Sequence, residues 1–189
     1  MDTPFFDTYE NLVQQAGTFH GDICHGIRIG TRMTMSGLRR IGIVDPKGAD
    51  RKKLIVFVEI DRCTTDAIMA LTGCRPGKRS MKIRDYGKMA ATFINMETQK
   101  AFRVVVEGNR KAGDDGSGNE PDFAAIPEDE LFTINEVEVP LRPEDLPGQT
   151  YKIKWPGSDH AIYITINDVM QEGRRRPFEI FINSKNMEH

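Results

Sequence analysis

The sequence predicts an α+β protein with a small β-rich C-terminal appendage. Three observations carry that expectation. Helical periodicity dominates the first forty or so residues; short alternating segments dominate residues 80–139; and a proline-rich junction leads into three further alternating segments. A chain of 189 residues suffices for one medium domain, or for one domain with an appendage, and can bury a core without disulfides or a structural metal.

In chain order, Asp7 and Glu10 have capping-box spacing, and Tyr9, Leu12, Val13 and Ala16 then share a helical face. This predicts a helix over about 8–17, ending at Gly17. A second helix is expected over about 25–41, with Ile29, Met33, Leu38 and Ile41 on one face. Gly26, Gly30 and Gly37 weaken it as a free helix, so close packing must compensate. "LIVFVEI", 54–60, is a nearly continuous apolar run, the pattern of a strand buried on both faces. A third helix follows over about 64–73.

"SMKIRDY", "AATFINM" and "AFRVVVE" alternate as strands, joined by Gly87 and by a turn at 97–100. "AGDDGSGNEP" has linker composition, and "IPEDELF" forms one or two helical turns before the strand "INEVEV". Pro140, Pro143 and Pro147-Gly148 mark the boundary between a domain at 1–148 and a β-rich tail at 149–189. The tail offers "YKIK", "AIYITI" and "PFEIFI", too little for an independent core. In water, Ile162, Ile164 and Ile166 on one strand and Phe178, Ile180 and Ile182 on another need an apolar partner surface.

The formal charge of −2 hides an asymmetry. Arg28, Arg32, Arg39, Arg40, Lys47, Arg51, Lys52 and Lys53 face only Asp45 and Asp50 within 28–53, whereas 107–148 leans acidic. A local basic face can attract an anionic ligand, or be simply solvated; no nucleic-acid stripe is evident. With no basic, apolar leader and no run long enough to span a bilayer, a cytoplasmic protein that engages neither membrane nor nucleic acid is expected. Cys24, Cys63 and Cys74 are odd in number and contain no CxxC pair. In a reducing compartment they are thiols or metal ligands.

No dinucleotide fingerprint, P-loop, GxSxG elbow or HExxH motif is present. The residues with chemical potential are soft or borderline ligands at chain reversals: His20 and Cys24 before the second helix, Cys63 between a buried strand and the third. A helix N-terminus lowers a thiol's pKa, and both cysteines occupy such a position. Zinc or iron accepts imidazole and thiolate together, with Asp22 or His25 able to complete the set. The competing reading makes Cys24 and Cys63 small buried hydrophobes and His20 a capping or core histidine.

"FHGDICHGIRIGTRM", "VEIDRCTTDAIMALTGCRPGK", "IRDYGKMAATFIN" and "IPEDELF" together resemble the E-subunit family of formylmethanofuran dehydrogenase, over about residues 5–148 and in the right order. The resemblance implies a mixed β-sheet flanked by helices, usually in a homodimer. It implies a metal or active site at His20, Cys24 and Cys63, with Asp61, Cys74, Lys78 and Lys88 nearby. Cys63, Asp61, Lys78 and Lys88 are thus the candidate catalytic residues, and His20, Asp22, Cys24 and Cys63 the candidate metal ligands. The family commonly reads His-Gly-His and then Cys-Pro-Gly; here Asp22 and His25 replace the second histidine and the proline, so one donor becomes a harder oxygen. The cysteine-rich zinc finger that many members carry is missing, since no cysteine follows Cys74. The tail, with "GRRRPFEIFINSKNMEH", resembles instead a C-terminal segment of adenosylcobalamin-dependent ribonucleotide reductases.

The function expected from that resemblance is that of a metal-binding, redox-associated accessory protein of the same family type. It would hold a transition metal, zinc by preference, and act beside molybdenum or tungsten oxidoreductase subunits. One alternative is a stand-alone enzyme with an open metal position or a reactive thiolate, for which Asp61, Asp66 and His25 are the available general bases. The other is an interaction module that works through its tail by strand addition.

Overall fold

The computed structural model describes residues 7–107, 121–139, 145–154, 156–157, 160–171 and 173–184. The chain divides into two compact units, 1–139 and 140–189. The glycine-rich stretch expected to be a linker lies, apart from Pro121, outside the described residues, as do Pro140 and Pro143.

In the first unit, α1 spans Tyr9–His20. Its cap is Thr8, whose hydroxyl accepts the Asn11 N–H, while the Asp7 carboxylate takes the Thr8 N–H and the Asn11 side chain. The expected Asp7–Glu10 box is thus replaced by a cap one residue later. The helix also runs past Gly17 to Gly21, which adopts φ 101° and returns its N–H to the Gly17 carbonyl. Gly17 serves packing rather than termination: a Cβ there would fall 2.4 Å from Ile23 Cγ1.

Helix α2, His25–Ile41, has the expected bounds, with Ile29, Met33, Leu38 and Ile41 buried. Its glycines are packed as the sequence demands: a Cβ on Gly37 would sit 2.2 Å from the Phe93 ring. Strand β1, Leu54–Val58, stops two residues short of the expected run. Leu54, Val56 and Val58 are buried whereas Ile55 and Phe57 are half-buried, so its two faces are not equally covered. Helix α3 spans Cys63–Thr72, and a 3₁₀ turn at Pro76–Lys78 leads into β2, only Met81–Ile83. Then come β3 (Ala90–Asn95), β4 (Ala101–Val106), the single turn α4 (Glu128–Leu131) and β5 (Phe132–Glu136).

The five strands form one mixed sheet in the order β2-β1-β3-β4-β5, with β1 and β2 parallel and the other neighbours antiparallel. Register places Val56 opposite Phe93, and Val58–Ala91–Val104 in a row beside them. These side chains share a core with Ile29, Met33 and Leu38 of α2. Each such fully buried aliphatic contributes roughly 1.5–3 kcal/mol. One polar tie joins the sheet to α2 and another braces the sheet itself. Asn95 is buried, donates to the Ile41 carbonyl and accepts the Glu97 N–H. Arg103 grips Glu59 with two hydrogen bonds of 2.6 and 2.7 Å.

The second unit is an antiparallel sheet, β6 (Gly148–Lys154), β7 (Ala161–Gln171) and β8 (Arg174–Ser184), in that order. Tyr151, Ile164 and Ile182 are aligned across it, as are Gln149, Ile166 and Ile180, so one face is largely apolar. Among the described residues, no helix is long and apolar enough to cross a membrane.

Candidate metal centre

His20 closes α1, Gly21 reverses the chain in the left-handed conformation, and Cys24 is the extended N-cap of α2. Between them the Asp22 carboxylate accepts the Ile23 N–H at 2.7 Å, stiffening the reversal. Cys63 is the first residue of α3, delivered there by the C-terminal end of β1. What brings Cys63 to Cys24 is the absence of side chains on α2. A Cβ on Gly26 would lie 2.8 Å from the Cys63 Cβ and 3.6 Å from each sulfur; one on Gly30 would lie 2.8 Å from Ala67 Cβ and 3.0 Å from Thr64 Cα. Helices α2 and α3 therefore touch almost backbone to backbone.

The result is a cluster in which donor atoms of His20, Cys24 and Cys63 all lie within 4.8 Å of one another. His20 Nε2 is 4.0 Å from Cys24 Sγ, and its Nδ1 meets Asp66 Oδ2 at 2.8 Å. Donors on one tetrahedral zinc stand about 3.5–3.8 Å apart, as follows from Zn–S and Zn–N bond lengths. The cluster is thus within about an ångström of that spacing, with every donor half-buried and of the right chemistry. Asp66 stands where the outer partner of a metal-bound imidazole would stand: with the His20 proton on Nδ1, Nε2 faces Cys24 and is open to a ligand.

The Cys63 thiol does not follow the helix-end expectation. Its hydrogen bond with Cys24 is the largest influence, burial adds to it, and together they push the pKa up. The neighbouring sulfur outweighs the helix N-terminus; a bound cation, by contrast, deprotonates its coordinating thiols.

The remaining candidates are placed as follows. Asp22 is turned to the Ile23 amide and stands outside the cluster. His25 packs edge-on against Phe123 at 4.8 Å, and Arg32 donates to the Ala124 and Ile126 carbonyls, so the start of α2 is tied to residues 123–126. Asp61 is exposed between β1 and α3. Lys88 is exposed and its N–H bonds the Glu59 carbonyl. Cys74 is buried beyond the far end of α3, its Sγ toward the Leu54 carbonyl and its thiol pushed up by burial. Lys78 is exposed in the 3₁₀ turn near Gly73. All three cysteines are free thiols. Sequence reasoning weighed Asp66 only as a base and missed its hold on His20. The available signal was its place one helical turn after Cys63.

An α+β fold with a mixed sheet, in which two helix starts and one helix end present two thiols and a carboxylate-held imidazole, defines a class of proteins with a three-donor metal-type site. The chain belongs to the FmdE family: the family model described as "FmdE, Molybdenum formylmethanofuran dehydrogenase operon" matches residues 19–129. A curated relative from Archaeoglobus fulgidus, described as a probable S-adenosyl-L-methionine-binding protein, is 32% identical over 96 residues, half of this chain; the match spans 26% of that relative's length. A crystal structure of a tungsten formylmethanofuran dehydrogenase FmdE-like protein from Syntrophus aciditrophicus has the same fold, with a TM-score of 0.54 at 22% identity, over 82% of this chain and 85% of the other.

Proposed function

We propose that the protein binds one transition-metal ion, zinc by donor chemistry, through His20, Cys24 and Cys63, and serves as an accessory protein of the FmdE type. The observation that carries this reading is the convergence of two sulfurs and one imidazole from three separate helix ends. Cys24 and Cys63 bind as thiolates, His20 binds through Nε2, and Asp66 fixes the imidazole tautomer. Asp22 joins as a fourth ligand only by releasing the Ile23 amide. Three protein ligands leave a coordination position for a water or an incoming group, and zinc bound in this way supplies Lewis-acid chemistry there. In this proposal the protein is a cytoplasmic homodimer working with molybdenum or tungsten oxidoreductase subunits. The tail, with its resemblance to a ribonucleotide reductase segment, is a separate domain from 149 onward.

The same cluster suits a second reading, a stand-alone enzyme that works through an open metal position or the Cys63 thiolate, with Asp61 as general base. Turnover of candidate substrates by the isolated protein separates it from the accessory role.

Metal analysis of anaerobically purified protein tests the main proposal. One ion per chain is expected, lost in Cys63→Ser and kept in Cys74→Ser. A metal-free wild-type protein that also fails to take up added zinc, or a Cys63→Ser protein that retains full occupancy, overturns it.

A further inference from the structure

We propose that the cavity beyond the C-terminal end of α3 is a second ligand site, independent of the metal cluster, which takes a small phosphate-bearing molecule with an apolar body. The cavity, open to solvent on one side, has a volume of about 370 Å³ and is lined by Arg51, Lys52, Lys78 and Arg79 together with Leu54 and Ile55. That volume lies within the usual range of small-molecule sites.

Four cations line this space and no carboxylate does. The nearby acids are already engaged: Asp50 takes the Val44 and Asp45 amides and Lys53, Glu97 takes Lys53, and Asp45 takes the Gly48 and Ala49 amides. Among the described residues, Arg51, Lys52 and Arg79 form no ion pair. Like charges gathered without counter-charge repel one another, and an anion between them relieves that repulsion. Arginine is suited to phosphate because its planar fork donates two hydrogen bonds to two oxygens.

The backbone supplies a second, separate indication. Arg79 is held at φ 59°, ψ 8°, a conformation that residues with side chains seldom adopt, and its N–H is tied to the Pro76 carbonyl. Strain of this kind at the rim of a cavity is where a ligand clamp is found. The preceding turn opens with Pro76-Gly77, and Lys78 Nζ lies 3.5 Å from the Gly73 carbonyl, so both cations of the turn are placed at the cavity. The apolar part of the lining argues for more than a bare ion, and a nucleoside monophosphate satisfies both halves. Cys63 and Gly73 stand at opposite ends of α3, roughly 15 Å apart at the rise of an α-helix.

The test is calorimetric titration of the full chain at low ionic strength with inorganic phosphate, pyrophosphate and AMP, with amide NMR to locate the bound ligand. AMP should bind more tightly than inorganic phosphate, with shifts concentrated in 51–55 and 72–80. Arg79→Glu should weaken binding by about tenfold or more, as loss of a charge-assisted pair implies. Arg79→Asn, which tolerates the left-handed backbone, should weaken it without disturbing the fold. Arg39→Glu, on α2 and outside the cavity, should leave binding unchanged, and so should Cys63→Ser, which isolates this result from the metal proposal. Equal losses in Arg39→Glu and Arg79→Glu would reduce the effect to diffuse charge. Shifts centred on His20 and Cys24, or failure of all three probes to bind at millimolar concentration, would likewise overturn the proposal.

Discussion

Replacing Gly26 with alanine adds a single methyl group at the point where α2 and α3 meet, and its effect on metal affinity can be worked from the geometry. The new Cβ would stand 2.8 Å from the Cys63 Cβ, and it would also be 3.6 Å from both sulfurs. Two carbons settle at about 3.5–4.0 Å, so the first turn of α3 must retreat by about 1 Å. Metal–ligand distances tolerate only about 0.2 Å. Zinc affinity should therefore fall about ten- to a hundredfold, comparable to losing an outer-shell support. Stability should change less, because the helix gains about 1 kcal/mol from alanine while overpacking costs about 1–3 kcal/mol. Competition against a chromophoric zinc chelator measures the first quantity and thermal unfolding the second. Gly77→Ala is the control, since a Cβ there meets nothing within 4 Å. If Gly26→Ala binds zinc as tightly as the parent, helix proximity does not set the sulfur positions and the account of the site is wrong.

Asp66→Ala should weaken zinc binding about ten- to a hundredfold by freeing the His20 ring, whereas Asp22→Ala, which only loosens the reversal, should weaken it far less; the same chelator competition reads both. Glu59→Gln should cost about 1–3 kcal/mol at neutral pH, as for a hydrogen bond to a charged group. Arg103 holds the Glu59 carboxyl below its ordinary value of 4.5, so its stabilisation is present above that pH and is lost as pH falls through the depressed folded value. Urea melts of both proteins should therefore converge in acid, and a gap that persists undiminished would assign the loss to packing. A chain ending at Gly148 should keep a cooperative thermal transition, because the first unit contains its own sheet and core; collapse of that transition would make the tail part of the core.

Much of this architecture was legible in the sequence where one physical signal dominated. The bounds of α2 follow from an apolar face between a polar N-terminal motif and Gly42, which caps the helix at φ 68°. Its three glycines announced close packing without saying against what; the partners are Cys63, Ala67 and Phe93. The end of α1 was misread because a glycine that permits contact and a glycine that ends a helix look alike in sequence: Gly17 does the first and Gly21 the second. The parallel β1–β2 pairing left no local trace, since β2 is three residues long and is placed by the turn before it. The link between His20 and Asp66 crosses from one helix to another, so the spacing that puts Asp66 on the face of Cys63 does not name its partner. The cationic cavity was hidden for the same reason, as its lining comes from two separated stretches of chain.

His20 and Cys24 are near neighbours in the chain, but Cys63 comes from beyond β1. An unfolded chain can present the first two donors together, whereas the third arrives only when α3 docks on α2. An ion held by all three is therefore a tertiary fastener, and its retention reports whether that helix pair is closed. By mass action the dependence runs both ways: free metal at about a hundred times its dissociation constant lends the folded state about 2.7 kcal/mol. With the ion bound as proposed, opening of α3 that exposes the chain to proteases would be suppressed by that amount, and the survival of this protein in a cell would follow the supply of the metal.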